Sequence, residues 1–587
     1  TNNKSDNYKG KDTYAAFVDR LYFDTQGNSS RTYSSISQSN TNNSSYSLRG
    51  QLSYSDVYRE IHRFSVLAGA EIRGEKAEGI FEKRYGYDPV TGNSAMPVPK
   101  DPGNGEGFKY SDLVSYANAM DQLSGQEIEE NRFASFYGAL DYSLFDRYVL
   151  NVSFRTDGSN NFGSDEQFNP TWSAGAVWHV SEETFMEVVR PVLSRLSLRV
   201  ATGYTGNINK TVKPNLMMKY YKNFRISDDE NYRMGYINNA PNPKLRWEKT
   251  RDVKVALDFG LWKDRINGIV EAYWRKSKDC VTSEYVPVTT GFFNQSYNTS
   301  VLQNNGVEFS LSVAVLKSKD YNLSVSANVA WNQNKLKKYN SPNTSLALDK
   351  YVGYPMGAVF SGKYEGIDPE TGMYKFKLRP DAVTNKDGYL REPNNYYYYL
   401  GTSVAPFTGG FNLNFSYKNI GLSVGGSYSV KAKMVDNIES PAGYELLSGS
   451  KLESIPTPHN DLYRNHLNVK REVRNRWTPE NRTGVKYPRL IDAYGKKLGL
   501  DLTNPTLTTI TRGALLEDIS YLRINTIALS YSLPQRVLER INFSSAALNL
   551  TLNNFFTITK YSGIDPEVPG ATYPVSRSVT IGLNVGF

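Results

Sequence analysis

The chain has 587 residues, of which 13% are aromatic and 43 are tyrosines, and its formal net charge is +9. A single cysteine, Cys280, excludes an internal disulfide and a cysteine-based zinc site, and the four histidines show no metal-ligand spacing. No apolar run reaches the roughly 18 residues of a membrane-spanning helix, and the scattered basic residues disfavour nucleic-acid binding.

Alternating apolar and polar side chains predict strands along nearly the whole chain, because successive side chains of a strand lie on opposite faces. In chain order the predicted strands lie near 11–24, 42–55, 61–75, 131–144, 147–156, 168–181, 194–206, 249–261, 265–277, 304–316, 320–333, 407–418, 420–433, 518–532, 543–556 and 576–587. The chain opens instead on a polar stretch rich in Asn and Ser, without the charged-then-apolar start of a signal peptide. For a membrane protein we therefore expect a processed or truncated chain.

The last predicted strand shows the alternation most clearly. Its apolar side chains share one face and its small or polar side chains share the other: Val579, Ile581, Leu583, Val585 and Phe587 against Ser578, Thr580, Gly582, Asn584 and Gly586. Such a strand suits the wall of a barrel with lipid outside and water inside. Composition alone also allows a Tyr-rich secreted β protein, such as a propeller or a sandwich array.

The connections between the predicted strands alternate between short and long. Short links lie at 56–60, 145–146, 262–264, 317–319 and 419, and long ones near 25–41, 76–130, 207–248, 278–303, 334–406, 434–517 and 557–575. This asymmetry predicts an all-β fold, a transmembrane antiparallel up-and-down β-barrel of about 16 strands with long outer loops. Two links on the short side predict brief helices, Glu182–Val189 and Gln535–Arg540.

Several sequence motifs follow one another from about residue 150 to the C-terminus. They are 157–163 (DGSNNFG), 171–178 (TWSAGAVW), 181–183 (SEE), 198–207 (LRVATGYTGN), 242–250 (NPKLRWEKT), 305–308 (NGVE), 476–481 (RWTPEN), 519–523 (ISYLR), 553–556 (NNFF), 560–567 (KYSGIDPE) and Tyr573–Pro574 with Arg577. In this order they resemble the C-terminal barrel of the SusC/RagA family of TonB-dependent outer-membrane transporters of Bacteroidota.

The resemblance implies a barrel of about twenty-two strands, plugged by an N-terminal domain and covered by a SusD-like surface lipoprotein. It also implies import of oligosaccharides or oligopeptides across the outer membrane, driven through TonB. Pairs of transporter and lid that dimerise are a further expectation. The passive alternative is a porin or surface-binding barrel without energy coupling, and a secreted β-rich enzyme or adhesin is a third reading.

Residues 1–587 lack a TonB-contacting segment and a plug. Their predicted strands are about six fewer, at the N-terminal side, than the barrel that the resemblance implies. Sixteen strands could close on their own, but an unplugged bore of that size would leak. We therefore interpret the chain as the C-terminal portion of a longer transporter barrel.

Loop aromatics are the sharpest binding candidates, because aromatic faces stack on sugar rings and on peptide side chains alike. The predicted solute-binding residues are Tyr396, Tyr397, Tyr398, Tyr399, Phe292 and Phe293. The competing interpretation of the tyrosine run is an aromatic girdle at the membrane interface. Tyr220, Tyr221, Tyr444 and the basic stretch 471–476 are weaker candidates.

Enzymatic chemistry finds no support in the sequence. The paired acids at 129–130, 182–183 and 228–230 are typical of solvated loops, and no Gly-x-Ser-x-Gly nucleophile elbow occurs. The segment Asp368–Gly372 favours a turn over a calcium loop, because the acid spacing of an EF-hand is missing. We expect a transporter that is not an enzyme and that holds neither a metal nor a cofactor.

Overall fold

The computed structural model describes residues 2–9, 23–24, 35–85, 87–94, 98–99, 124–209, 212–220, 235–339, 351–370, 372, 374–382, 395–435, 474–486, 512–569 and 573–587. Sixteen strands form one antiparallel sheet in which the neighbours of each strand along the chain are also its neighbours in space. The strands are Asn2–Lys9, Ser35–Tyr58, His62–Tyr85, Ser124–Leu144, Tyr148–Ser159, Phe168–His179, Leu193–Asn207, Glu248–Leu261, Ile266–Tyr285, Asn294–Lys317, Tyr321–Lys338, Phe407–Tyr417, Ile420–Val430, Tyr521–Ser532, Ser545–Thr559 and Ser578–Gly586.

Fifteen of these strands lie where the alternation predicts them, and many extend beyond the predicted bounds. The sixteenth, Asn2–Lys9, falls in the polar stretch that was not predicted to be a strand. Its composition has low strand propensity, so its conformation comes from antiparallel pairing with residues 35–42. Of the predicted strand near 11–24, only Phe23–Asp24 lies within the described residues.

The short connections are tight turns at one end of the sheet. Phe145 and Asp146 have φ of 55° and 56°, which is the geometry of the central residues of a type I′ turn, whose twist matches its strands. The predicted helix Gln535–Arg540 is present as an α-helix. The predicted helix over 182–189 is instead two single 3₁₀ turns, Val180–Glu182 and Thr184–Met186. Val188 and Val189 have low helix propensity and Pro191 lacks a backbone N–H, so a longer helix is disfavoured there.

Shorter strands and turns lie in the long connections at the opposite end. The paired segments are Phe23–Asp24 with Val98–Pro99, Met217–Tyr220 with Gly235–Asn239, Ala358–Gly362 with Tyr397–Thr402, Tyr364–Ile367 with Tyr374–Phe376, and Lys433–Val435 with Leu516–Asp518. Single 3₁₀ turns occupy Val288–Thr290 and Arg512–Leu515. Among the described residues, none of the helices has the length and apolarity that a membrane crossing requires.

One face of the large sheet carries an exposed apolar band. Leu52, Ile581 and Leu583 are 82%, 73% and 67% exposed. In the last two strands Leu548 pairs with Leu583, and Leu550 pairs with Ile581, so apolar side chains meet across neighbouring strands. Because a contiguous exposed apolar surface of this extent is not stable in water, the band is the lipid-facing side of a membrane-spanning wall.

The lipid-facing band ends in aromatic side chains at the short-turn end. Tyr321 pairs with Tyr417, and both share the face of the apolar band. Tyr148, Trp178 and Tyr531 lie at the same end and are likewise partly exposed. This arrangement is typical of the aromatic girdle at the edge of a bilayer, where amphipathic rings contact both acyl chains and head groups.

The opposite face is polar and divides into two sectors. In the middle of the sheet it carries cross-strand ion pairs, including Arg199 with Asp258, Lys254 with Glu271, and Arg275 with Asp252. From Tyr321 onward the same face carries neutral side chains that alternate with the apolar residues, such as Asn328, Asn412, Ser423, Asn549 and Thr551. The charged Arg523 lies on this face near the long-loop end. Polar side chains on this face fit a water-filled interior.

Candidate functional site

The candidate site is a cavity of about 500 Å³ at the long-loop end of the sheet. Its floor is the end of the strand Tyr321–Lys338 and its neighbour, and its walls are two loop segments around residues 353–357 and 399–406. A cavity of this size accommodates a small solute or one end of a longer one.

Aromatic rings form one wall of this cavity. The Tyr354 and Tyr399 ring centroids lie 4.8 Å apart, and Phe360 packs against both rings at 5.0 and 5.7 Å. Tyr354 and Tyr399 remain 37% and 41% exposed, so each presents part of its surface to solvent. Burial and the neighbouring Tyr354 raise the pKa of Tyr399, which keeps its hydroxyl neutral at physiological pH.

Side-chain amides line the floor of the cavity. The Nδ2 of Asn334 donates to the Oδ1 of Asn304 at 2.6 Å, and its own Oδ1 accepts the Met356 N–H at 2.8 Å. From the strand Ile266–Tyr285, two strands away in the sheet, the Tyr273 hydroxyl donates to the Oδ1 of Asn332 at 3.1 Å. The strand end therefore fixes the loop through neutral groups that suit hydroxyl or amide partners.

The backbone adds a second fastening of the loop to the wall. The Leu336 N–H donates to the Tyr354 carbonyl at 2.8 Å, and the Gly353 N–H donates to the Leu336 carbonyl at 2.7 Å. Gly353 has φ of 95°, a conformation that favours glycine. Tyr354 is thus held beside Tyr399 by main-chain hydrogen bonds as well as by ring packing.

The structure separates the four predicted tyrosines of the run 396–399. The strand Tyr397–Thr402 buries Tyr397, leaves Tyr396 and Tyr398 half-buried, and turns Tyr399 toward the cavity. The hydroxyl of Tyr398 donates to the Leu378 carbonyl at 3.2 Å. Only Tyr399 of the run therefore lines the cavity.

Phe292 and Phe293 lie in another loop, just before the strand Asn294–Lys317, and do not line the cavity. Phe293 is 77% exposed and accessible to a ligand. Tyr354, Asn332 and Asn334 were not predicted as site residues. The sequence did show Asn332 and Asn334 at alternate positions near the end of their strand. No local pattern, however, connects these asparagines with Tyr354, twenty residues later.

The remaining site candidates from the sequence are a possible calcium loop, metal-binding clusters and several loop residues. Asp368–Gly372 is a turn, as predicted: the Asp368 carbonyl accepts the Gly372 N–H at 2.8 Å. Within the described parts of the chain, no cluster of His, Cys, Asp and Glu could hold a metal ion. Tyr221, Tyr444 and residues 471–473 lie outside the described residues.

A family model described as "TonB dependent receptor-like, beta-barrel" matches residues 1–438. The chain belongs to this family. It is 26% identical to TonB-dependent receptor P26 of Formosa agariphila over 97% of this chain and 55% of the relative. It is also 26% identical to TonB-dependent receptor SusC of Bacteroides thetaiotaomicron, over 89% of this chain and 48% of the relative. The chain spans about half the length of the curated relatives it matches.

The fold is similar to that of solved structures of the RagAB peptide transporter. One such structure aligns with a TM-score of 0.74 at 23% identity, over 100% of this chain and 59% of that chain. A second, the RagAB peptide importer in its "closed-closed" state, aligns with a TM-score of 0.73 over the same shares. Together with the SusC match, these likenesses confirm the SusC/RagA resemblance of the TonB-dependent receptor barrel.

Proposed function

We propose that the protein is an active importer of oligosaccharides or oligopeptides in the outer membrane, driven through TonB. The observation that carries the proposal is the pairing of a lipid-facing apolar band with a cavity of aromatic and amide groups at the long-loop end. The family membership and the SusC and RagAB likenesses support energy coupling. Such a protein binds and moves its solute and performs no covalent chemistry.

The partners are part of the same proposal. A SusD-like surface lipoprotein would cover the long-loop end, and two such pairs would dimerise. The plug domain, the TonB-contacting segment and the remaining strands would belong to the part of the transporter that matched relatives have beyond the aligned region. The likeness to solved structures of the RagAB peptide transporter supports the lipoprotein partner.

In the proposed binding mode, Tyr399 and Tyr354 stack on a sugar ring or a peptide side chain. The neutral amides of Asn332, Asn334 and Asn304 would bind its hydroxyl or amide groups. Tyr396, Tyr397 and Tyr398 would support the strand that carries Tyr399, and Phe292 and Phe293 would contribute a second aromatic contact. The lining is neutral apart from Lys335, so it suits an uncharged oligosaccharide better than a strongly basic peptide.

Uptake by intact cells tests the function. Cells that produce the transporter should take up a labelled oligosaccharide or peptide pool only when TonB is present, and each pool is assayed separately. Uptake that persists at full rate without TonB would favour the passive barrel. Y399A and Y354A should each weaken binding by about three- to tenfold, because an aromatic contact contributes about 0.5–1.5 kcal/mol.

Y573A is the matched control for the binding site, because Tyr573 is an exposed loop tyrosine at 81% that does not line the cavity. The control should bind like the unaltered protein. Equal losses in Y399A, Y354A and Y573A would argue against the cavity, whereas unchanged TonB dependence in all three would leave the import function intact.

A further inference from the structure

One connection at the short-turn end carries an exposed apolar surface that the barrel wall does not need. In the connection 180–192, which joins Phe168–His179 to Leu193–Asn207, Phe185 is 64%, Val188 87% and Val192 51% exposed. A second connection at this end, 533–544, holds the helix Gln535–Arg540, and the remaining short connections are turns of a few residues. An isolated solvated turn gains nothing from such side chains, so this surface requires a partner.

Hydrogen bonds fix this connection to the lipid-facing side of the wall. The Glu183 carboxylate accepts hydrogen bonds from the Tyr148 hydroxyl and from the Trp178 indole N–H, the latter at 3.1 Å. Arg147 donates to the same carboxylate at 3.3 Å. Tyr148 and Trp178 pair across strands and share the face of Leu150, so the connection lies over the aromatic girdle and not over the polar interior.

Hydrogen bonds to Glu183, more than neighbouring charge, favour its ionised form. The Tyr148 hydroxyl and the Trp178 indole, followed by Arg147, hold the pKa of Glu183 below its ordinary value although burial opposes them. The Glu183 side chain is only 12% exposed, so its hydrogen-bonded carboxylate fastens the connection to the wall from the shielded side. The apolar side chains are left on its outer surface.

Two arginines flank the apolar surface, on a connection that also carries the acidic Glu182 and Glu187. Arg190 donates to the Ser181 carbonyl and to Glu182 at 2.9–3.2 Å, and its side chain remains 45% exposed. Arg147 remains 35% exposed on the other side. Each guanidinium has five N–H donors and keeps some of them free for an anionic group outside the protein.

A neighbouring turn extends the same surface. The Trp262 N–H donates to the Val192 carbonyl at 2.7 Å, and the Trp262 side chain is 50% exposed. Phe185, Val188, Val192 and Trp262 therefore continue the exposed apolar band of the wall past its aromatic girdle.

We propose that residues 180–192 are a membrane anchor, in which Phe185 and Val188 insert into the periplasmic phospholipid leaflet and Arg147 and Arg190 contact lipid phosphates. The occupant is lipid because the surface is continuous with the lipid-facing band and is fastened to girdle residues. An apolar cap with flanking arginines also matches the acyl and phosphate layers of one leaflet. The proposal rests on the membrane placement of the barrel and not on its solute.

Site-directed spin labelling in phospholipid nanodiscs tests the anchor. The full protein carries one nitroxide in a C280S background at V188C, with F185C as a second position. Lipid contact raises the collision rate of the nitroxide with oxygen and lowers that with a water-soluble nickel chelate. L150C reports the apolar band, and S318C reports an exposed turn at the same end.

We expect V188C and F185C to resemble L150C, with an oxygen-to-nickel ratio several-fold above that of S318C. A ratio equal to that of S318C at both positions would overturn the anchor. Low accessibility to both reagents would indicate a protein partner or a second copy and would also overturn it. If L150C itself were open to nickel, the membrane placement would fail, and with it the barrel on which the proposed function depends.

Discussion

The rings of Phe162 and Trp247 stack with their centroids 4.6 Å apart and their planes 22° from parallel. Both side chains are buried, although they belong to two loops separated by about eighty residues. Gly163 joins the same contact, because its N–H donates to the Leu245 carbonyl at 2.9 Å. Two of the motifs that carry the family resemblance, 157–163 and 242–250, thus form one packed unit at the long-loop end.

Replacing Trp247 tests whether ring packing holds this unit. The indole N–H has no hydrogen-bond partner among the described residues, so the residue contributes by packing. W247A should destabilise the unit by about 3–5 kcal/mol, and W247F should lose much less because it retains a ring against Phe162. Amide hydrogen exchange over 157–169 and 242–250 measures the effect. Equal exchange in the two variants would contradict a stacking role.

Gly163 tests the close approach of the same loops. A Cβ at this position would lie 1.8 Å from the Pro243 carbonyl oxygen, which is main chain and cannot rotate away. G163A should therefore separate the loops at a loss of about 1–3 kcal/mol or more. G50A is the matched control, because nothing lies within 4 Å of its Cβ. Greater protease sensitivity of G163A than of G50A is the expected readout, and similar digestion of both would refute the prediction.

The pair Arg523 and Asp565 tests a buried charge at the mouth. The two side chains are 2% and 5% exposed, and Arg523 also contacts Glu567 at 2.9 Å. R523M should destabilise the loop that precedes the last strand by about 3–5 kcal/mol, because it leaves a buried carboxylate unpaired. The double variant R523M/D565L should recover part of that loss. Hydrogen exchange of the amides over 561–577 measures the effect. R536M, on the exposed face of the helix Gln535–Arg540, is the control and should exchange like the unaltered protein.

The same carboxylate predicts an acid-sensitive loop. Burial opposes ionisation, but the N–H groups of Glu567 and Val575 and the Arg523 guanidinium together hold the pKa of Asp565 below its ordinary value. Its contribution to stability is therefore complete above the ordinary pKa of an aspartate and is lost as the pH falls through the lowered pKa of the folded state.

Exchange of the amides over 561–577, corrected for the intrinsic pH dependence, should accelerate on acidification in the unaltered protein. D565N should show fast exchange already at neutral pH and little further change, since it has no carboxylate to protonate. If the loop of the unaltered protein were equally protected from exchange at neutral and at acidic pH, the ionised Asp565 carboxylate would not contribute to its stability.

Much of the wall could be predicted from the sequence because its signals are local. The segment from Ser578 to Gly586 forms a strand with Ile581 and Leu583 outward, as its alternation predicts. The helix Gln535–Arg540 was also predicted at its observed bounds. Asn2–Lys9 was not predicted, because its side chains carry no apolar alternation and its strand depends on the neighbour with which it pairs.

The candidate site was predicted less completely. Tyr399 was identified as an aromatic of a loop, but the same reasoning treated Tyr397 as equivalent, whereas the surrounding loops bury Tyr397 and leave Tyr399 41% exposed. Phe293 is exposed but belongs to another loop. Tyr354 and the amides of Asn332 and Asn334 join Tyr399 only because the loop returns to pair with the strand end.

By itself the sequence determined the strands, their two unlike faces and the difference between the two ends of the wall. The strands and their faces follow from the side-chain period of two and from the contrast between lipid on one side and water on the other. Both influences act on each residue separately. Only the tertiary structure decided which residues far apart in the sequence meet, such as Phe162 with Trp247, Tyr354 with Tyr399, and Arg523 with Asp565. Those contacts depend on strand register and on the paths of long connections, which no local pattern of side chains encodes.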